Sequence, residues 1–261
     1  SPYAGMEHQS AIAYGNGFEN DLYGKDDYII LHETGHEWFG NSVSVSDLAD
    51  VWLQEGITTY GEALYLEKEY GKDVYLDHLL FYRLTIKNKL PLVGPAERRY
   101  FNYKDQDVYV KGAWLMHSLR HTIRNDSLFF ASLKNFYQEN KLKVTDSKAF
   151  VESINKTTRK DYSWFFNQYL HNRFAPYLEY QLTDDGTFYY RWTKVNPDFN
   201  KLPIKLDFHV TSQQITLYPS TEIQMYKLPS NKGIPSVVDI NNDYVLFGYK
   251  QNKKLKKISK K

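Results

Sequence analysis

The sequence contains no cysteine. That excludes disulfide scaffolds, thiolate catalysis and cysteine-built zinc modules, and it leaves the compartment open. No stretch approaches the roughly 18 consecutive apolar residues of a membrane-spanning helix, and no basic leader with an apolar core and a small-residue cleavage site stands at the front. The chain opens at Ser1-Pro2-Tyr3 without methionine and reads as a piece of a longer or processed polypeptide, with any targeting signal upstream. Localisation is therefore not assigned. Acid is absent from residues 250–261, which hold seven of the 33 basic residues and none of the 31 acidic ones, so the rest of the chain is mildly acidic. A nucleic-acid surface needs basic side chains spread over a folded face. The sequence accordingly predicts no nucleic-acid partner, no membrane span and a solvated basic tail.

What is present is a globular composition, 42% hydrophobic with 23 Tyr and 15 Phe, which excludes disorder and coiled coil. A length of 261 residues leaves room for two cores. Helical periodicity predicts seven helices, over residues 26–39, 51–70, 73–89, 107–124, 127–139, 146–155 and 161–170, most opening on a Ser or Asp able to cap free amides. The pattern fails around Pro91, Gly94 and Pro95, where a loop is expected. After Arg173 the texture changes. Ile204, Leu206, Phe208 and Val210 alternate with polar residues, and Asp184-Asp185-Gly186 reads as a hairpin turn between strands 177–183 and 187–193. Further strands are expected over 214–218, 222–226 and 243–250. The predicted class is α+β: a mostly helical part over residues 1–172, a small all-β sandwich over 173–249, and the basic tail 250–261.

The chemistry gathers at His32-Glu33-Thr34-Gly35-His36. A four-residue spacing on a helix puts both imidazoles on one face, one turn apart, able to chelate a single ion, and Glu33 projects beside it where a general base belongs. Catalytic zinc takes three protein ligands and keeps a position for water. Glu55, in Trp52-Leu53-Gln54-Glu55-Gly56, can supply the third if the second helix folds back beside the first; alone it would read as an ordinary helix-surface acid. Zinc-bound imidazoles donate their other N–H to a carboxylate or carbonyl, and Asp47 and Asp50 are candidates. His117 and His121 repeat the four-residue spacing without an acid or a third ligand and read as core or surface histidines. Trp164-Phe165-Phe166 reads as core.

The segments His32 to Asn41 and Trp52 to Tyr60 together resemble the zinc signature of the aminopeptidase N family, with the family's 18 residues between second His and third ligand. Ala4-Gly5-Met6-Glu7-His8 is similar to the family's Gly-x-Met-Glu-Asn motif, with Ala4 and His8 as departures, and Tyr109-Val110-Lys111-Gly112 is similar to the segment bearing its catalytic Tyr. The resemblance implies a thermolysin-like catalytic domain, its first strands lying before Ser1, followed by a β-sandwich. It implies one Zn2+ per chain on His32, His36 and Glu55, Glu33 as general base and then acid, and Tyr109 as hydrogen-bond donor to the oxyanion. It also implies Glu7, with the backbone of Gly5 and Met6, as the anchor for a peptide with a free N-terminus. The expected activity is hydrolysis of the first peptide bond. A thermolysin-like endopeptidase, which needs no Glu7, and a catalytically idle protease-like scaffold are the alternative readings.

Overall fold

The computed structural model describes residues 4–20, 22–97, 105–208, 213–228 and 238–259. The chain is α+β and divides into two compact units, Ser1–Ser163 and Trp164–Lys261. Among the described residues no helix is long and apolar enough to cross a membrane.

The first unit begins with a two-stranded antiparallel ribbon, β1 (Gly5–Met6) with β2 (Ala13–Tyr14). Six helices follow: α1 (Tyr28–Gly35), α2 (Trp52–Tyr70), α3 (Lys72–Thr85), α4 (Asp107–Ile123), α5 (Asp126–Asn140) and α6 (Ser147–Thr158). A short parallel pair, β3 (Val43–Val45) with β4 (Lys143–Thr145), ties the turn after α1 to the end of α5. These four small strands are too short to show a periodicity in the sequence. The centre of the unit is α4, with 14 of its 17 residues buried. A helix covered on all sides needs no polar face, so the charges it does carry must be partnered within the fold. Its neighbour α2 buries Trp52, Leu53, Ile57, Tyr60, Ala63 and Leu66, the three- and four-residue spacing that gives one apolar stripe.

Helix boundaries differ from the sequence reading where side chains find other work. The cap of α1 is Asp27, whose carboxylate accepts Ile29 N–H at 3.1 Å as well as Asn16 Nδ2 at 3.0 Å and the Tyr14 hydroxyl. Asp26 instead receives the hydroxyls of Tyr65 and Tyr70 from α2. Asp107 does not cap α4 either. It lies fully buried inside the first turn and accepts the backbone N–H of Lys87 at 2.8 Å and of Asn88 at 2.7 Å, fastening the chain after α3 to the start of α4.

The second unit holds α7 (Ser163–His171), which the sequence had grouped with the preceding helices. Its Trp164, Phe165 and Tyr169 rings pack on one another and, through Trp164 and Tyr169, on Phe199, and the compact units divide after Ser163, the first residue of α7. Among the described residues seven strands follow in two sheets. One has the order β11-β5-β6-β9, with β5 (Tyr177–Leu182), β6 (Thr187–Thr193), β9 (Gln224–Lys227) and β11 (Gly248–Gln251). The other has the order β10-β7-β8, with β7 (Ile204–Phe208), β8 (Gln213–Leu217) and β10 (Asp239–Asn241). On β7, Ile204 and Leu206 are buried while Lys205 is exposed and Asp207 partly so, the alternation the sequence predicts. Val210, expected in the same strand, lies outside the described residues. The expected strand over 243–250 starts only at Gly248, because Asn242 Nδ2 donates to Phe247 O and closes an irregular loop that buries Leu246 and Phe247. Residues 250–259 are no free tail. Lys250 pairs within β11 and reaches Glu179 at 3.2 Å, and the short helix α8 (Leu255–Ile258) buries Leu255 against β5 and β6.

Candidate metal centre

Three donor atoms converge between α1 and α2. His32 Nε2 and His36 Nε2 lie 3.0 Å apart, and Glu55 Oε2 is 3.4 Å from the first and 3.2 Å from the second. The edge of a tetrahedron with bonds of about 2.0–2.1 Å is roughly 3.3 Å, so this triangle has the size that zinc bound to nitrogen and carboxylate oxygen requires. All three side chains are buried. The helix spacing explains the imidazole pair, and α2 folding back beside α1 brings Glu55 to it.

Each imidazole is fixed from behind. Glu62 Oε1 accepts His32 Nδ1–H at 2.6 Å, and the Phe39 carbonyl accepts His36 Nδ1–H at 2.8 Å. Both bonds select the tautomer that turns the Nε2 lone pair toward the common point. Glu62 Oε2 receives the Tyr82 hydroxyl at 2.7 Å and has His78 Nε2 3.8 Å away. These partners hold the buried Glu62 carboxyl below its ordinary range although burial opposes this. The sequence candidates Asp47 and Asp50 do other work: Asp47 accepts Ala49 N–H and Glu97 N–H, and Asp50 accepts from Ser147. Glu62 was missed, yet it stands seven residues after Glu55 on the same helix, two turns along one face, which is the signal that could have found it. The carbonyl of Phe39 reaches His36 because the chain leaves α1 through Gly40 at φ +142, where a Cβ would stand 3.0 Å from His36 Nδ1.

The electrostatics favour a cation. Burial disfavours charge on His32, yet Glu55 and Glu62 outweigh it and raise the imidazole to about 10. Burial likewise opposes ionisation of Glu55, but the two imidazoles bring it down to about 2. Two nitrogens, one carboxylate, the negative surroundings and the matching edge lengths fit zinc. A second group of potential donors, Glu7, Glu33 and His36, lies within 4.8 Å and shares His36 with the first. It lacks the second nitrogen.

Glu33 is buried beside this triangle, and its Oε2 has no hydrogen-bond partner. Burial raises its pKa, the imidazoles pull it back, and Glu7 and Glu55 raise it again. An orphaned buried carboxylate is costly and calls for a proton donor in the site. Gly5 lets β1 approach it, since a Cβ there would stand 2.7 Å from Glu33 Cδ. Tyr109, near the start of α4, has its ring centroid 6.0 Å from that of His32. Tyr109, His32 and Glu33 line a cavity of about 670 Å³ together with Tyr28, Ile29 and Phe81. Met6 is exposed, and Glu7 is half-buried with its carboxylate within 4.8 Å of donor atoms of Glu33 and His36. Of the residues the sequence proposes for the site, donor atoms of His32, His36 and Glu55 and of Glu7, Glu33 and His36 lie within 4.8 Å of one another, and Gly5 and Tyr109 line the adjoining cavity with His32 and Glu33. His117, with its Nδ1 2.6 Å from the Tyr75 hydroxyl, is a core histidine outside the group.

The sequence profile of the Peptidase family M1 domain matches residues 23–169. Endoplasmic reticulum aminopeptidase 2 of Homo sapiens is 31% identical over 100 residues, 35% of this chain and 10% of that protein. Aminopeptidase N of Lactococcus lactis subsp. lactis is 23% identical over 168 residues, covering 60% of this chain and 20% of that protein. Glutamyl aminopeptidase of Bitis rhinoceros is 23% identical over 248 residues, covering 84% and 25%. The crystal structure of Legionella pneumophila aminopeptidase A in complex with aspartic acid shares the fold, with a TM-score of 0.63 at 22% identity, over 85% of this chain and 26% of that one. The chain therefore spans between 10% and 26% of the length of these proteins.

Proposed function

The chain belongs to peptidase family M1, and from that premise we propose that it carries the catalytic centre of a zinc-dependent aminopeptidase hydrolysing the first bond of peptides with a free N-terminus. The observation that carries the reading is the triangle of His32, His36 and Glu55 with unpartnered Glu33 at its side and Glu7 within 4.8 Å of Glu33 and His36. Zinc held by His32, His36 and Glu55 supplies Lewis acidity, polarising the scissile carbonyl and acidifying water.

The remaining steps belong to side chains. Glu33 takes a proton from the attacking water as its oxygen bonds to the carbonyl carbon, and passes that proton to the departing nitrogen as the C–N bond breaks. The raised pKa of Glu33 suits both halves of this exchange, since a stronger base is also a group that holds its proton until the amine needs it. The Tyr109 phenol donates a hydrogen bond to the oxygen on which charge develops. Glu7 pairs with the α-ammonium group, and the backbone of Gly5 and Met6 aligns the first residue beside the centre. The cavity on the His32 side receives the residue after the scissile bond. The apolar part of its lining, with Leu22, Ile29, Phe81 and Val110, favours bulky side chains there.

The test compares free and N-acetylated peptides of one sequence, with and without chelator. An aminopeptidase cuts only the free form and stops when zinc is removed. Equal rates on both forms would point to the thermolysin-like endopeptidase, and zinc binding without turnover of any peptide to the idle scaffold.

A further inference from the structure

We propose that Asn41 is a positioning residue that fixes the distance between the amine anchor Glu7 and the metal centre, and so sets the one-residue register of cleavage. The inference rests on the aminopeptidase reading. Asn41 is bonded in two directions. Its backbone N–H donates to the His36 carbonyl at 2.9 Å, and its side-chain Nδ2 donates to the Glu7 carbonyl at 2.9 Å. One residue therefore joins the main chain of an imidazole-bearing residue to the main chain of the residue whose carboxylate meets the substrate amine.

The need for such a link follows from the strand. β1 pairs with β2 only at Gly5 and Met6, so Glu7 is the first residue beyond the ribbon. A two-residue ribbon is marginal by itself and cannot hold the next side chain to a fraction of an ångström. From the front, β1 is brought close to Glu33 by the missing Cβ of Gly5. From behind, Asn41 holds the Glu7 carbonyl, and three residues on a weaker bond joins Ser10 N–H to Glu37 Oε1 at 3.3 Å. The turn that carries Asn41 is itself rigid. Gly40 N–H donates to Val43 O at 3.0 Å, and Phe39 O accepts His36 Nδ1–H. An extended residue spans about 3.3–3.6 Å, so an anchor displaced by even a third of that no longer measures one residue to the scissile carbonyl. A misplacement of about 1 Å is enough to cost a large part of an enzyme's rate.

The experiment uses the intact protein, a dipeptide amide and its N-acetylated counterpart, with bound zinc measured alongside. Asn41→Ala is expected to raise KM for the free dipeptide amide about tenfold while kcat falls less than threefold, so that the preference for the free over the capped peptide drops about tenfold. Zinc content should be unchanged. In a Glu7→Ala background the same substitution should have no further effect, because a residue that acts through Glu7 has nothing left to position. Asn41→Asp, which keeps the size but replaces the donor with an acceptor, should reproduce the loss and serves if the alanine variant fails to fold. Multiplicative losses in the double variant, loss of zinc, or an unchanged preference would overturn the proposal. If the wild-type protein cuts capped and free peptides alike, it is the aminopeptidase reading that fails, and this inference with it.

Discussion

Gly56 and Gly112 meet face to face where α2 crosses α4: a Cβ built on Gly56 would stand 2.8 Å from Gly112 Cα, and one on Gly112 would stand 2.7 Å from Gly56 Cα. Gly56 follows Glu55 directly and Gly112 lies three residues after Tyr109, so the crossing sets how near α4 brings its Tyr to the ligand-bearing helix. Side chains on either residue would have to push against backbone, which cannot yield by rotating.

Gly112→Ala is accordingly expected to destabilise the fold by about 1–3 kcal/mol, the range for overpacking a tight interior contact. Urea unfolding of the two proteins measures it. An unchanged midpoint and slope would mean that the helices separate at no cost.

Glu33→Gln should bind zinc with unchanged stoichiometry and lose activity by roughly 10²–10⁴-fold, the contribution of a positioned general base. Tyr109→Phe should lower kcat by about 10²–10³-fold with little change in KM, since its hydrogen bond forms as charge develops. Steady-state kinetics with metal analysis checks both. A Glu33→Gln protein as active as the wild type would contradict the mechanism.

Removing the support behind His32 should act on the metal and not on the chemistry. Glu62→Ala is expected to weaken zinc binding about 10–100-fold, measured by competition with a chelator of known affinity. Tyr82→Phe, which takes one of the partners from Glu62, should weaken it by less.

Lys111, fully buried on α4, has its pKa brought down to about 8 by burial, against the opposing pull of Asp107 and Asp105. The folded value is below the unfolded one of about 10.4, so between these limits the unfolded chain binds more protons. Stability therefore gains from Lys111 as pH rises through this window and loses it below. The stability of wild type relative to Lys111→Met should climb by up to about 1.4 kcal/mol per pH unit between roughly pH 8 and 10. Urea titrations at three pH values test the slope, and a flat difference would show Lys111 to be unperturbed.

With a fixed first residue, peptides with Leu or Phe in second place should be cut about tenfold or more faster, in kcat/KM, than those with Gly, because Leu22, Ile29, Phe81 and Val110 give the cavity an apolar part of its lining. Thr59→Trp, which fills part of that cavity, should flatten the series. A wild-type series without slope would remove the cavity from substrate selection.

Much of the fold was legible because it depends on period. The seven helices from α1 to α7 and the β5–β6 hairpin follow from apolar spacing and turn residues within a few positions of one another. Elements of two or three residues, β1 to β4 and β10, carry no period, and the pairing of β3 with β4 and of β10 with β7 joins segments far apart in sequence, as when Val43 pairs with Lys143. Asp146 caps α6 as the sequence suggests, accepting Ala149 N–H at 2.8 Å, but two other cap candidates act elsewhere for a related reason. A Ser or Asp near a helix start can cap it, but Asp26 and Asp107 found distant partners instead, and sequence alone does not rank a local bond against a distant one.

The sequence by itself determined the ligand pair, because a four-residue spacing on any helix fixes where His32 and His36 stand relative to each other. It also marked Glu33 as their neighbour. Only the tertiary structure decided that Glu55 completes the triangle, that Glu62 and Phe39 O turn the rings, and that Asn41 reaches Glu7. Those are meetings between elements. They depend on how closely α2 can cross its neighbours and on which way the chain turns after α1, and these are properties of packed surfaces and of a few residues such as Gly40, Gly56 and Gly112, not of any local pattern.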